Sequence, residues 1–173
     1  METIKFDELL LRTAFCCMAS DGNIDNREIS LIKSMCEQSP WFTNFNFQEE
    51  INMLVSEINN NGRSFIQNYF DILKETQLTE EEELTLIDFA IKTINADEQV
   101  EYSEIKFFKN IRHRLKVSDD KILEHFPDIE LYLEQDIISV GFLDKITIQY
   151  FEATELPQFD LINTVENSHD DPK

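Results

Sequence analysis

Glycine and proline are scarce in this chain. Only Gly22, Gly62, Gly141 and four prolines punctuate its 173 residues. A β-sandwich, or an α/β fold with tight turns, needs more of both, so the scarcity favours helices. Basic side chains are outnumbered as well: 15 Lys and Arg stand against 35 Asp and Glu, a formal charge of −20. Such a surface repels the phosphate backbone, which argues against direct nucleic-acid binding and against docking on anionic membranes. It suits a basic protein partner or divalent cations, although acidity also serves solubility alone. No apolar stretch approaches the ~18–20 residues that a membrane-spanning helix needs. The opening Met1-Glu2-Thr3-Ile4-Lys5-Phe6 has no basic segment leading into an apolar run, so no secretory leader is expected. Cys16, Cys17 and Cys36 have neither CxxC nor zinc-like spacing, and are expected to be buried free thiols of a cytoplasmic protein.

Catalytic signatures are absent too. His113, His125 and His169 are scattered, and there is no nucleophile elbow, no HExxH and no phosphate-cradling glycine loop. The sequence is therefore not expected to encode an enzyme.

An apolar fraction of 42% is enough to build a core. Leu11, Phe15 and Met18, with Leu10 and Ala14 beside them, predict a first helix over about 6–20. After Asp21-Gly22-Asn23, a second helix starts near Asn26, carries Ile29, Ile32 and Cys36 inward, and ends before Pro40. Ile51, Leu54, Val55 and Ile58 mark a third, which Asn59-Asn60-Asn61-Gly62 terminates. Ile66, Tyr69, Phe70 and Leu73 mark a fourth. Thr79-Glu80-Glu81-Glu82 reads as a capping box opening a fifth, with Leu84, Ile87, Ile91 and Ile94 inside. A sixth, over about 101–116, offers Ile105, Phe108, Ile111 and Leu115. Ser118 caps a short seventh that Pro127 stops. The expected organisation is a helical domain over 1–126 and a C-terminal extension over 127–173. Within the extension, Ile146, Ile148 and Tyr150 alternate like a strand while Leu143, Ile146 and Tyr150 fit a helix face, and a further helix is expected. From about 163 the composition predicts a polar, disordered tail.

The chain repeats itself. A shift of 76 residues lays Leu11, Ala14, Phe15 and Met18 on Ile87, Ala90, Ile91 and Ile94. It also lays Asp21 on Asp97, Ile24 on Val100, Asp25 on Glu101, Glu28 on Glu104 and Ile29 on Ile105. Chemistry is preserved at the turn as well as in helical phase. The expected architecture is an all-α, pseudo-twofold bundle of about seven helices built from a duplicated helix–acidic turn–helix unit.

The segment from Ala19 to Glu28, with its second copy from Asn95 to Glu104, resembles the pattern of TerB-like proteins of bacterial tellurite resistance. The resemblance covers about the first 125 residues, and the second turn departs from it with Glu98 where Gly22 stands. It implies an all-α fold with internal symmetry, no catalysis, and acidic residues that bind metal. It also implies work with other proteins in stress-response or phage-defence assemblies, in some cases indirectly associated with the inner membrane.

Two readings of the acidic turns stand side by side. Asp21, Asn23, Asp25 and Glu28 place four oxygen-bearing side chains within a short turn, and Asp97, Glu98, Glu101 and Glu104 mirror them. Hard cations take such ligands, so Ca²⁺ or Mg²⁺ is favoured over Zn²⁺. The candidate metal residues are Asp21, Asp25, Glu28, Asp97, Glu101 and Glu104. An EF-hand is excluded, because Asn26 stands at its sixth position and Ile32 at its twelfth. In the other reading the same carboxylates cap helices and oppose their dipoles, as Asp25-x-x-Glu28 would.

Two further surfaces are candidates for partner binding. Lys106, Lys109, His113 and Lys116 form a basic stripe that would dock an anionic partner or neutralise the protein's own acidity. Trp41 and Phe42, with Phe45 and Phe47, form an aromatic loop that would anchor the core or, if exposed, serve as a partner hot spot. The leading expectation is a non-enzymatic module of a stress-response assembly, modulated by divalent cations. The alternative is a soluble Ca-like metal sensor or buffer. A metal-dependent hydrolase ranks last, because no His ligand lies near the turns.

Overall fold

Helix α1 (Phe6–Ala19) buries Leu9, Leu10, Leu11, Ala14, Phe15, Cys16, Cys17 and Met18, residues spread around its whole circumference. A helix apolar on every side has to be enclosed by others. In this computed structural model, which describes residues 3–20, 22–96, 102–133 and 158–162, five helices enclose it. α1 packs along α5 (Glu80–Ile94) and also touches α2 (Asn26–Gln38), α3 (Phe47–Asn61), α4 (Arg63–Glu75) and α6 (Tyr102–His113). α5 in turn contacts α2 and α6. The described residues are helical or irregular, with no strand among them.

Thr13 and Arg12 of α1 both find partners inside this shell. Thr13 Oγ1 donates to Leu9 O at 2.8 Å, so the Tyr69 hydroxyl of α4 donates to Thr13 Oγ1 at 2.9 Å. Arg12 Nη2 donates to Glu57 Oε1 at 3.2 Å. Its Nη1 lies 3.0 Å from Glu57 Oε2 but is not aligned for a hydrogen bond, so that contact is ionic. The guanidinium also sits 5.6 Å from the Phe65 ring centre.

Local chemistry sets the helix ends. Thr79 caps α5 in a reciprocal box: Glu82 N–H donates to Thr79 Oγ1 (3.2 Å) and Thr79 N–H to Glu82 Oε2 (2.8 Å). Asn46 caps α3 and Ser118 caps α7 (Asp119–His125). α3 runs on through Asn61, and a single residue, Gly62, joins it to α4 with φ of 52°, a left-handed value that favours glycine.

The buried stripes of α5 and α6 are broader than periodicity indicates. Leu84 and Ile105, expected inside, are only partly buried, whereas Leu86, Phe89 and Phe107 are buried. Glu83 is buried as well. Its carboxylate accepts the Lys116 N–H on both oxygens (3.1 and 3.0 Å) and the Val117 N–H at 2.6 Å. A charged acceptor thereby ties the turn after α6 to α5.

Beyond residue 126 come a 3₁₀ turn (Pro127–Ile129) and the one-turn α8 (Glu130–Leu133). Ile129 enters the common core, and Tyr132 donates to Asn95 Oδ1 at 3.0 Å. Residues 158–162 lie along α3 with Ile162 buried in the common core. The helix expected within 134–152 and the tail expected after 163 lie outside the described residues.

Replacing Glu83 by Ala should cost about 1–3 kcal/mol, because the Val117 amide is left buried without its acceptor. Urea unfolding measures this, and a loss below about 0.5 kcal/mol would contradict the clamp.

Candidate site at the acidic turns

The first turns of α2 and α6 each bring one carboxylate into the interior. Glu28, in the first turn of α2, is 2% exposed, and its counterpart Glu104, in the first turn of α6, is 1% exposed. Their apolar neighbours in the repeat are matched too: Leu11, Ala14, Phe15 and Met18 are buried, and so are Ile87, Ala90, Ile91 and Ile94. Both carboxylates act on the same thiol. Cys17 is held well above the ordinary thiol range first by burial, then by Cys16, Glu104 and Glu28. Glu28 of α2 and Glu104 of α6 thus both add to the effect of burial on this thiol.

Glu28 also has a capping role. Its Oε2 accepts the Asp25 N–H at 3.1 Å, completing a capping box at the start of α2. Asp25 is placed differently. Its Oδ1 accepts the Arg27 backbone N–H at 2.7 Å, and its two oxygens face Arg27 Nε and Nη2, each at 3.2 Å. The Arg27 side chain, followed by its backbone N–H, lowers the Asp25 pKa below the usual carboxylate value. Asp25 is thus an N-cap held by a guanidinium. Asp21, Asp97 and Glu101 lie outside the described residues. Among the described residues, no group of three or more His, Cys, Asp or Glu is arranged to hold a metal ion.

The three cysteines are free and buried, as their sequence context leads one to expect. Burial raises the Cys16 thiol strongly and pushes Cys36 up to about 12, so neither is a thiolate near neutral pH.

The basic stripe does not form a uniformly exposed cationic face. Lys106 and Lys109 are half-buried, while His113 and Lys116 are exposed. The flanking arginines are committed within the molecule. Arg112 holds Asp119 Oδ1 at 2.7 and 2.9 Å, and Arg114 lies 4.2 Å over the Phe70 ring while donating to Asn110 O. The aromatic loop works mainly as an anchor. Phe42 packs edge-on against Phe45 (4.8 Å between centres) and stacks with Phe89 of α5 (5.9 Å), and Phe47 is buried. Trp41 meets Phe6 edge-on at 4.6 Å yet stays 37% exposed.

One set of polar residues was not anticipated from the sequence. Gln48, Asn52 and Asn59 of α3 hydrogen-bond the backbone of residues 158–162. The signal was present as two asparagines seven apart on one helix, but Asn59 reads equally well as part of a helix stop.

No protein-family model matches the chain, and neither the curated proteins nor the solved structures provide a match.

The Asp25–Arg27 pair should be visible in a pH titration. In an Arg27→Ala variant, the Asp25 carboxyl should titrate closer to its ordinary value of 3.8, because the largest cause of its depression is gone. The sign follows from linkage: a folded pKa below the unfolded one adds stability above about pH 4, lost as pH falls through the folded pKa. NMR of the Asp25 side chain checks this, and an unchanged midpoint would rule out the guanidinium as the cause.

Proposed function

We propose that the chain is a TerB-like, non-enzymatic binding module that holds other proteins together in a bacterial stress-response assembly of the tellurite-resistance or phage-defence kind. A divalent cation at its two acidic turns modulates it. The observation that carries this reading is the pair of buried first-turn carboxylates, Glu28 and Glu104, both acting on Cys17. A cation is a further way to compensate carboxylates removed from water. Oxygen donors of this kind favour a hard cation, Ca²⁺ or Mg²⁺. Glu28 and Glu104 would hold the ion together with Asp21 and Asp97, while Asp25 serves α2 as its cap.

Helix contacts support the pseudo-twofold part of the reading. Exchanging α1 with α5 and α2 with α6 leaves α1–α5 unchanged and turns α1–α2 into α5–α6, and α2–α5 into α6–α1. A cation held by both turns would fasten one half of the repeat to the other. It would charge-compensate buried carboxylates without supplying a reaction, as a binding module requires.

Thermal unfolding of chelator-stripped protein, with Ca²⁺, Mg²⁺, Mn²⁺ and Zn²⁺ added in turn, tests the cation. An ion at a hundred times its Kd should stabilise the native state by about 2.7 kcal/mol. A Glu28→Gln/Glu104→Gln variant should lose that response, as should Asp21→Asn/Asp97→Asn. Equal, weak effects of all four ions on wild type and variants would leave the carboxylates as caps only. Affinity capture of the tagged full chain from its native host, with the stabilising cation and with chelator, tests the assembly. A stoichiometric protein retained with the cation and shed in chelator is the expected result.

A further inference from the structure

The exposed side of α3 carries a row of side-chain amides, and each clasps a single residue of an extended segment. Asn59 Oδ1 accepts the Phe159 N–H at 2.8 Å, while Asn59 Nδ2 donates to Phe159 O at 2.8 Å. Asn52 repeats the pattern on Ile162: Oδ1 accepts its N–H at 2.7 Å and Nδ2 donates to its carbonyl at 2.9 Å. Gln48 Nε2 also donates to Ile162 O, and Gln158 Nε2 reaches back to Asn59 O at 3.4 Å.

The spacing explains why both clasps close at once. Asn52 and Asn59 are seven residues apart on a helix, about 10.5 Å along its axis. Phe159 and Ile162 are three residues apart, about 9 Å at the three-residue repeat that brings both to one side. The two rulers nearly coincide, and the segment runs antiparallel to α3. A carboxamide presents one acceptor and one donor group side by side, which matches the N–H and C=O of any residue. The row therefore reads backbone, as an added strand does in peptide recognition. Side chains matter at the clasped positions only: Ile162 is buried and Phe159 half-buried, whereas Asp160 is exposed and Leu161 is 67% exposed. Gln48 also lines the groove of about 610 Å³ beside Phe42 and Phe45, so the track continues past Ile162 toward the aromatic loop.

We propose that this face of α3 is a binding site for an extended peptide, and that residues 158–162 are its resident ligand in the free protein. The partner it fits is a linear segment of another protein with an aromatic residue, two tolerant positions and an aliphatic residue. Basic side chains at the tolerant positions suit it best. α3 carries Glu49 and Glu50 on a molecule of net charge −20, and the resident segment sets Asp160 against that field. A partner with Lys or Arg there is electrostatically complementary where the resident is not. The C-terminal segment thus acts as an internal competitor that only a better-matched peptide displaces. This site is independent of the acidic turns.

The test uses the full chain and a labelled synthetic peptide of residues 156–164, followed by fluorescence anisotropy. Where the resident segment occupies the site at least about nine-tenths of the time, wild type binds the peptide about tenfold more weakly than a chain with a vacated site. A Phe159→Ala/Ile162→Ala chain should therefore bind at least about tenfold more tightly than wild type. Adding Asn52→Ala/Asn59→Ala to that chain should abolish the gain, with circular dichroism confirming helix content. A peptide carrying Asp160→Lys should bind more tightly still, by a margin that shrinks as salt is added. Equal affinity for wild type and the Phe159/Ile162 variant, or binding that survives loss of the asparagines, would overturn the site. No gain from the lysine would overturn the basic partner. If the variants fail to fold, ¹⁵N-labelled wild type decides. Unlabelled peptide should move the Phe159 and Ile162 amide resonances, and amides unmoved at millimolar peptide would show the segment to be a fixed part of the fold.

Discussion

The enclosure of α1 is the constraint on which the rest of the molecule depends. Ten of its fourteen residues are buried, on every side of the helix, and no arrangement of fewer than several neighbours removes them all from water. α5 answers with a face of Leu86, Ile87, Ala90, Ile91 and Ile94, and the remaining helices fill the gaps. The polar groups that enter this core arrive with partners: Thr13 with Tyr69, Arg12 with Glu57, Glu83 with two backbone amides. Desolvation makes each pairing obligatory.

Much of the secondary structure was legible because short-range chemistry decides it. The cap at Thr79, the box at Asp25–Glu28 and the Ser118 cap all follow from residue type and spacing, and all form. The burial pattern was less legible. A single stripe through Leu11, Phe15 and Met18 finds the helix but understates its burial, since Leu9, Cys16 and Cys17 point elsewhere and are just as enclosed. The same limitation exchanged Leu84 for Leu86 and Ile105 for Phe107. Periodicity identifies one face, whereas tertiary packing decides how many are covered.

The candidate site was legible as a composition and not as an arrangement. Sequence places Asp25 and Glu28 three apart; only the fold shows that the first turns outward to Arg27 while the second goes inside with Glu104. Asn59 shows the opposite difficulty. Beside Asn60, Asn61 and Gly62 it looks like punctuation, yet its amide is committed to a residue a hundred positions away. Nothing local in Gln158–Ile162 announces that contact, because a backbone-reading amide leaves little trace in the sequence it reads.

Burying α1 against α5 also governs how the chain comes into being. α1 leaves the ribosome before α5, and the helix that covers it ends only at Ile94. At roughly 5–20 residues per second, several seconds of synthesis separate the two. During that interval α1 is an apolar rod without its sleeve. Nascent chains of this protein are exposed to aggregation during that interval, and a translational pause before α5 would lengthen it.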